Sequence, residues 1–118
     1  MWLFMTDASL LIVADNDDPR RLLVRAVKAG DIEQVFPDAQ VIELEDSDYR
    51  FRAFLPRETV AMTVANRLGS IDYAEFTNAV PEPQRRDAYL EVWWQMARWQ
   101  WQEAVREYTQ GRPATKPN

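Results

Sequence analysis

Two stretches of this chain run through the same succession of elements, and that repetition narrows the folds open to it more than any other feature. Leu11-Ile12-Val13, an acidic turn, Leu23-Val24-Arg25-Ala26-Val27 and the segment from Asp31 to Phe36 form the first stretch. Val41-Ile42-Glu43, an acidic turn, Phe51-Arg52-Ala53-Phe54 and the segment from Glu58 to Val64 form the second. Each reads as strand, acidic turn, basic strand and helix. Two such ββα units can build one antiparallel sheet with both helices on one face. The expected fold class is therefore α+β, close to a ferredoxin-like sandwich with its last strand moved to the front. Any two hairpin–helix units share this outline, so two unrelated units are the alternative to a true repeat.

The local signals agree with that layout. Trp2 to Met5 and Leu10 to Ala14 are short apolar runs separated by the turn-forming Thr6-Asp7-Ala8-Ser9, and they read as a hairpin. Asp15-Asn16-Asp17-Asp18-Pro19 is a turn, because Asx side chains bond their own backbone and proline presets φ. Leu22 to Val27 reads as a strand. Gly30-Asp31 opens a short helix over Ile32 to Phe36, stopped by Pro37. Val41 to Glu45 and Tyr49 to Phe54 alternate with the two-residue period of half-buried strands. In the second of these, Arg50 and Arg52 share one face, with Tyr49, Phe51 and Ala53 on the other. Pro56 suits the first turn of a helix running to about Leu68, and Gly69 is placed to end it. Ile71 to Val80 reads as a short helix or turn, broken by Pro81-Glu82-Pro83.

The longest helix follows, from about Gln84 to Thr109, and carries four of the five tryptophans: Trp93, Trp94, Trp99 and Trp101. At 100° per residue, Tyr89, Trp93, Ala97, Trp101, Ala104 and Tyr108 fall on one stripe. Trp94 and Val105 widen it on one side; Val92, Met96 and Trp99 widen it on the other. The apolar arc spans roughly 240°, far beyond the ~100° a surface helix needs. Gln95, Arg98, Gln102 and Arg106 keep one narrow polar face. Two readings compete. In one, the helix lies on the sheet under the 71–80 segment and every aromatic is core. In the other, Trp94, Trp101 or the Met96 and Trp99 side is exposed and binds a protein partner or a second copy, as tryptophan-rich surfaces do.

Composition bounds the chemistry. With 118 residues and 47% hydrophobic content the chain fits one domain, expected over 1–110, with a disordered tail over 111–118. There is no cysteine and no histidine, so disulfides, thiol nucleophiles, histidine general bases and nearly all zinc chemistry are excluded. Gly30, Gly69 and Gly111 are the only glycines and lie far apart, which excludes a phosphate-binding glycine loop. No cofactor is expected. The net charge of −5 opposes long-range attraction to nucleic acid and to anionic membrane. Stacking of bases on Trp94, Trp99 and Trp101 beside Arg85, Arg86, Arg98 and Arg106 is disfavoured by the interspersed Glu91, Glu103 and Glu107. No stretch approaches the roughly 20 apolar residues of a membrane span, and Met1-Trp2-Leu3-Phe4-Met5 lacks a basic leader region, so a cytoplasmic protein is expected.

Two acidic groups are candidate sites. Asp15, Asp17 and Asp18 resemble a divalent-cation loop, but a calcium loop counted from Asp15 needs Gly and Glu where this chain has Arg20 and Ala26. Glu43, Glu45, Asp46 and Asp48 form the second group, with Glu43 and Glu45 expected to meet Arg50 and Arg52 across a hairpin. The sharper reading of this group is an acidic edge that docks onto a basic partner.

The assembled motifs resemble a small, uncharacterised family of bacterial and mobile-element proteins. The residues that carry the likeness are Met1-Trp2-Leu3-Phe4, Leu11-Ile12-Val13, Val24-Arg25-Ala26, Asp48-Tyr49-Arg50, Ile71-Asp72-Tyr73 with Phe76 and Ala79-Val80, and Tyr89 with Val92-Trp93. The family pattern departs at Asp7-Ala8-Ser9-Leu10, where an apolar Gly-Phe-Phe-Ser stretch is usual. The resemblance covers about 1–96; it implies the domain and no activity.

The functional expectation is a non-catalytic protein-binding or regulatory module acting through Trp94, Met96, Trp99 and Trp101, with self-association included. The first alternative is an acidic inhibitor, of immunity or phage anti-defence type, covering a basic site with Glu43, Glu45, Asp46 and Asp48. The second is a small enzyme using carboxylates and a divalent metal.

Overall fold

A computed structural model describes residues 1–111, in the order β1 (Trp2–Phe4), β2 (Ser9–Ala14), β3 (Arg21–Ala26), α1 (Asp31–Val35), β4 (Ile42–Glu43), β5 (Phe51–Pro56), α2 (Arg57–Gly69), a 3₁₀ turn (Thr77–Ala79) and α3 (Pro83–Thr109). The tail expected to be disordered lies, from residue 112 on, outside the described residues. The chain divides into two compact units, the first Met1–Pro81 and the second beginning at Glu82.

The first unit is α+β. Its strands form one antiparallel sheet in the order β1-β2-β3-β5-β4. β2-β3-α1 and β4-β5-α2 are the two ββα units, and β1 extends the sheet beyond β2. The units meet at β3 and β5, which pair from Arg21 opposite Pro56 to Ala26 opposite Phe51. Strand alternation then sorts the side chains. Leu10, Ile12, Val24, Ala26 and Ala53 form one core cluster with Ile32, Val35 and Phe36 from α1 and Val60 from α2, so both helices pack on the same face. Arg21, Leu23 and Arg25 on β3, and Arg52 and Phe54 on β5, fall on the opposite face.

Local chemistry sets the element ends. Gly30 adopts φ 91° before α1, a left-handed conformation that costs glycine little. The strand expected over Val41 to Glu45 is only Ile42–Glu43. The Leu44 N–H donates to the Arg50 carbonyl at 2.7 Å and the Ser47 N–H to the Leu44 carbonyl at 3.2 Å, so the chain is already turning there. β5 accordingly starts at Phe51 rather than Tyr49. Gly69 does not terminate α2 but is its last helical residue; Ser70 closes the helix, its N–H and Oγ both donating to the Asn66 carbonyl. Of the 71–80 segment only Thr77–Ala79 is helical.

The described residues of the second unit carry a single helix. Pro83 occupies its first turn, where a missing N–H costs nothing. At 27 residues it is about 40 Å long. No described helix is long and apolar enough to cross a membrane.

Candidate functional site

The four tryptophans of α3 are exposed, whereas Tyr89 on the same helix is buried. Fractional exposures are 54% for Trp93, 60% for Trp94, 53% for Met96, 56% for Trp99 and 69% for Trp101. Trp93 and Trp94 touch edge to face, with centroids 4.8 Å apart, yet both keep most of their surface in solvent. Around the helix the exposed residues form two patches. Trp94 and Trp101 lie seven residues apart on one side; Val92, Met96 and Trp99 lie roughly 160° away by the 100° rotation per residue. Trp93, Met96, Ala97, Trp99, Gln100 and Glu103 line a shallow groove along the helix.

The acidic group at Glu43, Glu45, Asp46 and Asp48 is brought together at the β4–β5 turn, and all four residues are exposed. Only part of the expected charge ladder forms. Glu43 pairs with Arg50 at 2.6 Å, but Ile42, not a glutamate, sits opposite Arg52. Arg52 instead donates to Ser47 Oγ at 2.8 Å. Two carboxylates of the Asp15–Asp18 loop, those of Asp15 and Asp18, are committed to arginines. Asp15 is buried, accepts the Asp17 N–H at 2.9 Å and pairs with Arg21 at 2.8 Å. Asp18 pairs with Arg20 at 3.1 Å, and the Arg20 side-chain and backbone bonds hold its carboxyl below the ordinary range. Among the described residues no group of three or more metal-binding side chains occurs.

Sequence reasoning missed two clusters. The first is a row across the sheet on the face opposite the helices. Trp2, Leu11, Arg25, Arg52 and Ile42 stand side by side on successive strands. The Arg25 guanidinium lies 5.3 Å from the Tyr49 ring centroid, and Trp2 Nε1 donates to the Tyr49 hydroxyl at 3.1 Å. Arg25 and Arg52 face each other directly, and the Nε of each is buried with no hydrogen-bond partner. Like charges so placed repel. The arginine alternation was legible in the sequence; the register that sets the two opposite each other was not. Tyr49 also joins this side, rather than that of Phe51 and Ala53, because it lies in the bend before β5.

The second cluster ties the β1–β2 turn to both helices of the first unit. Arg67 of α2 donates through Nη1 to Asp7 at 2.7 Å and through Nη2 to the Gln34 carbonyl at 3.1 Å, while Gln34 Nε2 donates to Asp7 at 3.0 Å. Burial pushes the Asp7 carboxyl up, but the Arg67 and Gln34 bonds and the Arg67 charge outweigh it and leave the group below its ordinary value. Nothing in the local sequence signals this triangle, since its members lie up to 60 positions apart.

Fold and surface together define a small α+β module carrying an exposed aromatic helix. No family model matches the chain, and neither the curated proteins nor the solved structures contain a significant match.

Proposed function

We propose that the chain is a non-catalytic protein-binding or regulatory module that works through the aromatic surface of α3. The observation that carries this reading is the exposure of Trp93, Trp94, Met96, Trp99 and Trp101, each more than half open to solvent on one helix. Exposed apolar surface of that extent is costly in water and is common where a partner covers it, and tryptophan dominates the energetics of such contacts. The topology also supports the proposal of a ferredoxin-like sheet, since β2-β3-β5-β4 is the order expected when the last strand of that fold moves to the front. The proposed likeness to the Met-Trp family adds no activity to this.

The test is association measured by light scattering and by binding to a tagged chain across a salt series. Native chain should associate, with itself or with a partner, and hold that association at 1 M salt, because an apolar contact is not screened. Trp94→Asp and Trp99→Asp should each weaken it. A native chain that associates with nothing, or association indifferent to both substitutions, refutes the reading.

A second reading, the acidic inhibitor, rests on Glu45, Asp46 and Asp48, which are exposed and make no ion pair among the described residues. That interface would weaken steeply between 50 and 500 mM salt and would respond to Asp46→Asn and Asp48→Asn rather than to the tryptophans.

A further inference from the structure

Leu90, Trp94, Ala97, Trp101, Ala104 and Tyr108 follow one another along α3 at alternating intervals of four and three residues. That is the spacing of the apolar seam of a two-stranded coiled coil. Within the seam, large and small side chains alternate: Trp94, Ala97, Trp101, Ala104. The alternation is symmetric about Trp99. Laid antiparallel on a second copy turned about that position, Trp94 falls on Ala104 of the second copy, Trp101 on Ala97, and Leu90 on Tyr108. Each tryptophan meets an alanine, which leaves room for the indole. Laid parallel and in register, Trp94 would meet Trp94 and Ala97 would meet Ala97, giving alternate clashes and voids. Large-against-small interdigitation is what close packing requires.

From this self-complementarity we infer that α3 pairs with α3 of a second copy, antiparallel, with the two-fold axis crossing the seam at the height of Trp99, on the opposite side of the helix from its side chain. The inference rests on the reading of α3 as a binding surface and names the occupant of one of its two patches. The area fits. Trp93, Trp94, Trp101 and Tyr108 are 54%, 60%, 69% and 85% exposed. With ~150–250 Å² per fully buried aromatic, the seam residues Trp94, Trp101 and Tyr108, with Trp93 beside them, would bury roughly 400–670 Å² per copy. The total of about 800–1,340 Å² reaches from small, transient contacts to the lower edge of specific interfaces. A seam of this kind is isologous, as a closed dimer requires. The pairing leaves Val92, Met96 and Trp99 facing outward on both helices, so the dimer keeps a second apolar patch for another protein.

The test uses exchange of the large and small residues. Ala97→Trp places an indole against Trp101 of the second copy and should raise the dimer dissociation constant at least tenfold in sedimentation or light scattering. The exchanged pair, Ala97→Trp with Trp101→Ala, restores large against small in the antiparallel register and should recover dimerisation. Geometry is read by spin labels on single engineered cysteines, which the cysteine-free chain leaves unambiguous. Labels at Gln100→Cys should lie about 10–15 Å apart, given an interhelical distance of ~8–10 Å. Labels at Gln110→Cys should lie roughly 33 Å apart along the axis, at ~1.5 Å per residue. Short distances at both sites mean a parallel pair and overturn the inference, as does failure of the exchanged pair to recover. A native chain that stays monomeric at 100 μM also overturns it. If such a monomer still loses binding to another protein on Trp99→Asp, the binding-module reading survives alone; if it binds nothing, both fall.

Discussion

Removing the Arg67 guanidinium tests whether the Asp7–Gln34–Arg67 triangle holds α1, α2 and the β1–β2 turn together. Arg67→Met keeps the apolar stem and deletes two donors, one to Asp7 at 2.7 Å and one to the Gln34 carbonyl at 3.1 Å. Fully buried hydrogen bonds to a charged group contribute about 1.5–3 kcal/mol each, whereas exposed ion pairs give only about 0.2–1 kcal/mol. The Asp7 and Arg67 side chains are 30% and 32% exposed, so the loss should fall between, at about 1–2 kcal/mol. Asp7 keeps its Gln34 bond and can rehydrate, which argues against a larger penalty. For a unit of this size that loss lowers the melting temperature by about 4–8 °C per kcal/mol. The assay is a double-mutant cycle of Arg67→Met and Asp7→Asn by urea unfolding, with an expected coupling near 1 kcal/mol at pH 7. The sign of its pH dependence follows from Asp7, whose folded-state carboxyl lies below its ordinary 3.8. Its contribution is complete above that value and is lost as pH falls below 3.8 through the folded-state value. Coupling below about 0.3 kcal/mol at pH 7, or coupling unchanged at pH 2, would refute the argument.

Two further substitutions probe the first unit. Arg25→Met removes a like charge facing Arg52 and a buried Nε that has no hydrogen-bond partner, at the expense of the contact with Tyr49. It should stabilise by about 0.5–1 kcal/mol, seen as a higher urea midpoint; a lower midpoint would mean that the guanidinium stacked on Tyr49 is a net stabiliser. Gly30→Ala meets no atom within 4 Å of the added Cβ but must hold φ 91°, so it should destabilise by about 1–2 kcal/mol through backbone strain alone. A calorimetric melt that matches the native protein would refute that assignment.

Much of the fold was legible because its signals are local. An apolar run marked β2, alternation marked β5, the Asx-Pro turn separated β2 from β3, and Pro56 marked the start of α2. The repeated strand–turn–strand–helix order anticipated the sheet's two halves because hairpins pair neighbours in sequence. β4 was overread, since Val41 to Glu45 alternates like a strand but Leu44 is captured by the turn to Arg50. The candidate site was half legible. The over-wide apolar arc on α3 was visible from helical rotation, but rotation alone does not separate the core reading from the exposed one.

What the amino-acid sequence determined by itself was the order of elements, the exclusion of histidine, cysteine and glycine-loop chemistry, and the large–small seam on α3. All of these depend on residue identity and on spacings within one element. Only the tertiary structure decided that Arg25 faces Arg52 and that Arg67 reaches Asp7. Each of these is a relation between residues distant in the chain. Such relations follow from strand register and helix packing, which are set by burial of the whole core rather than by any local pattern.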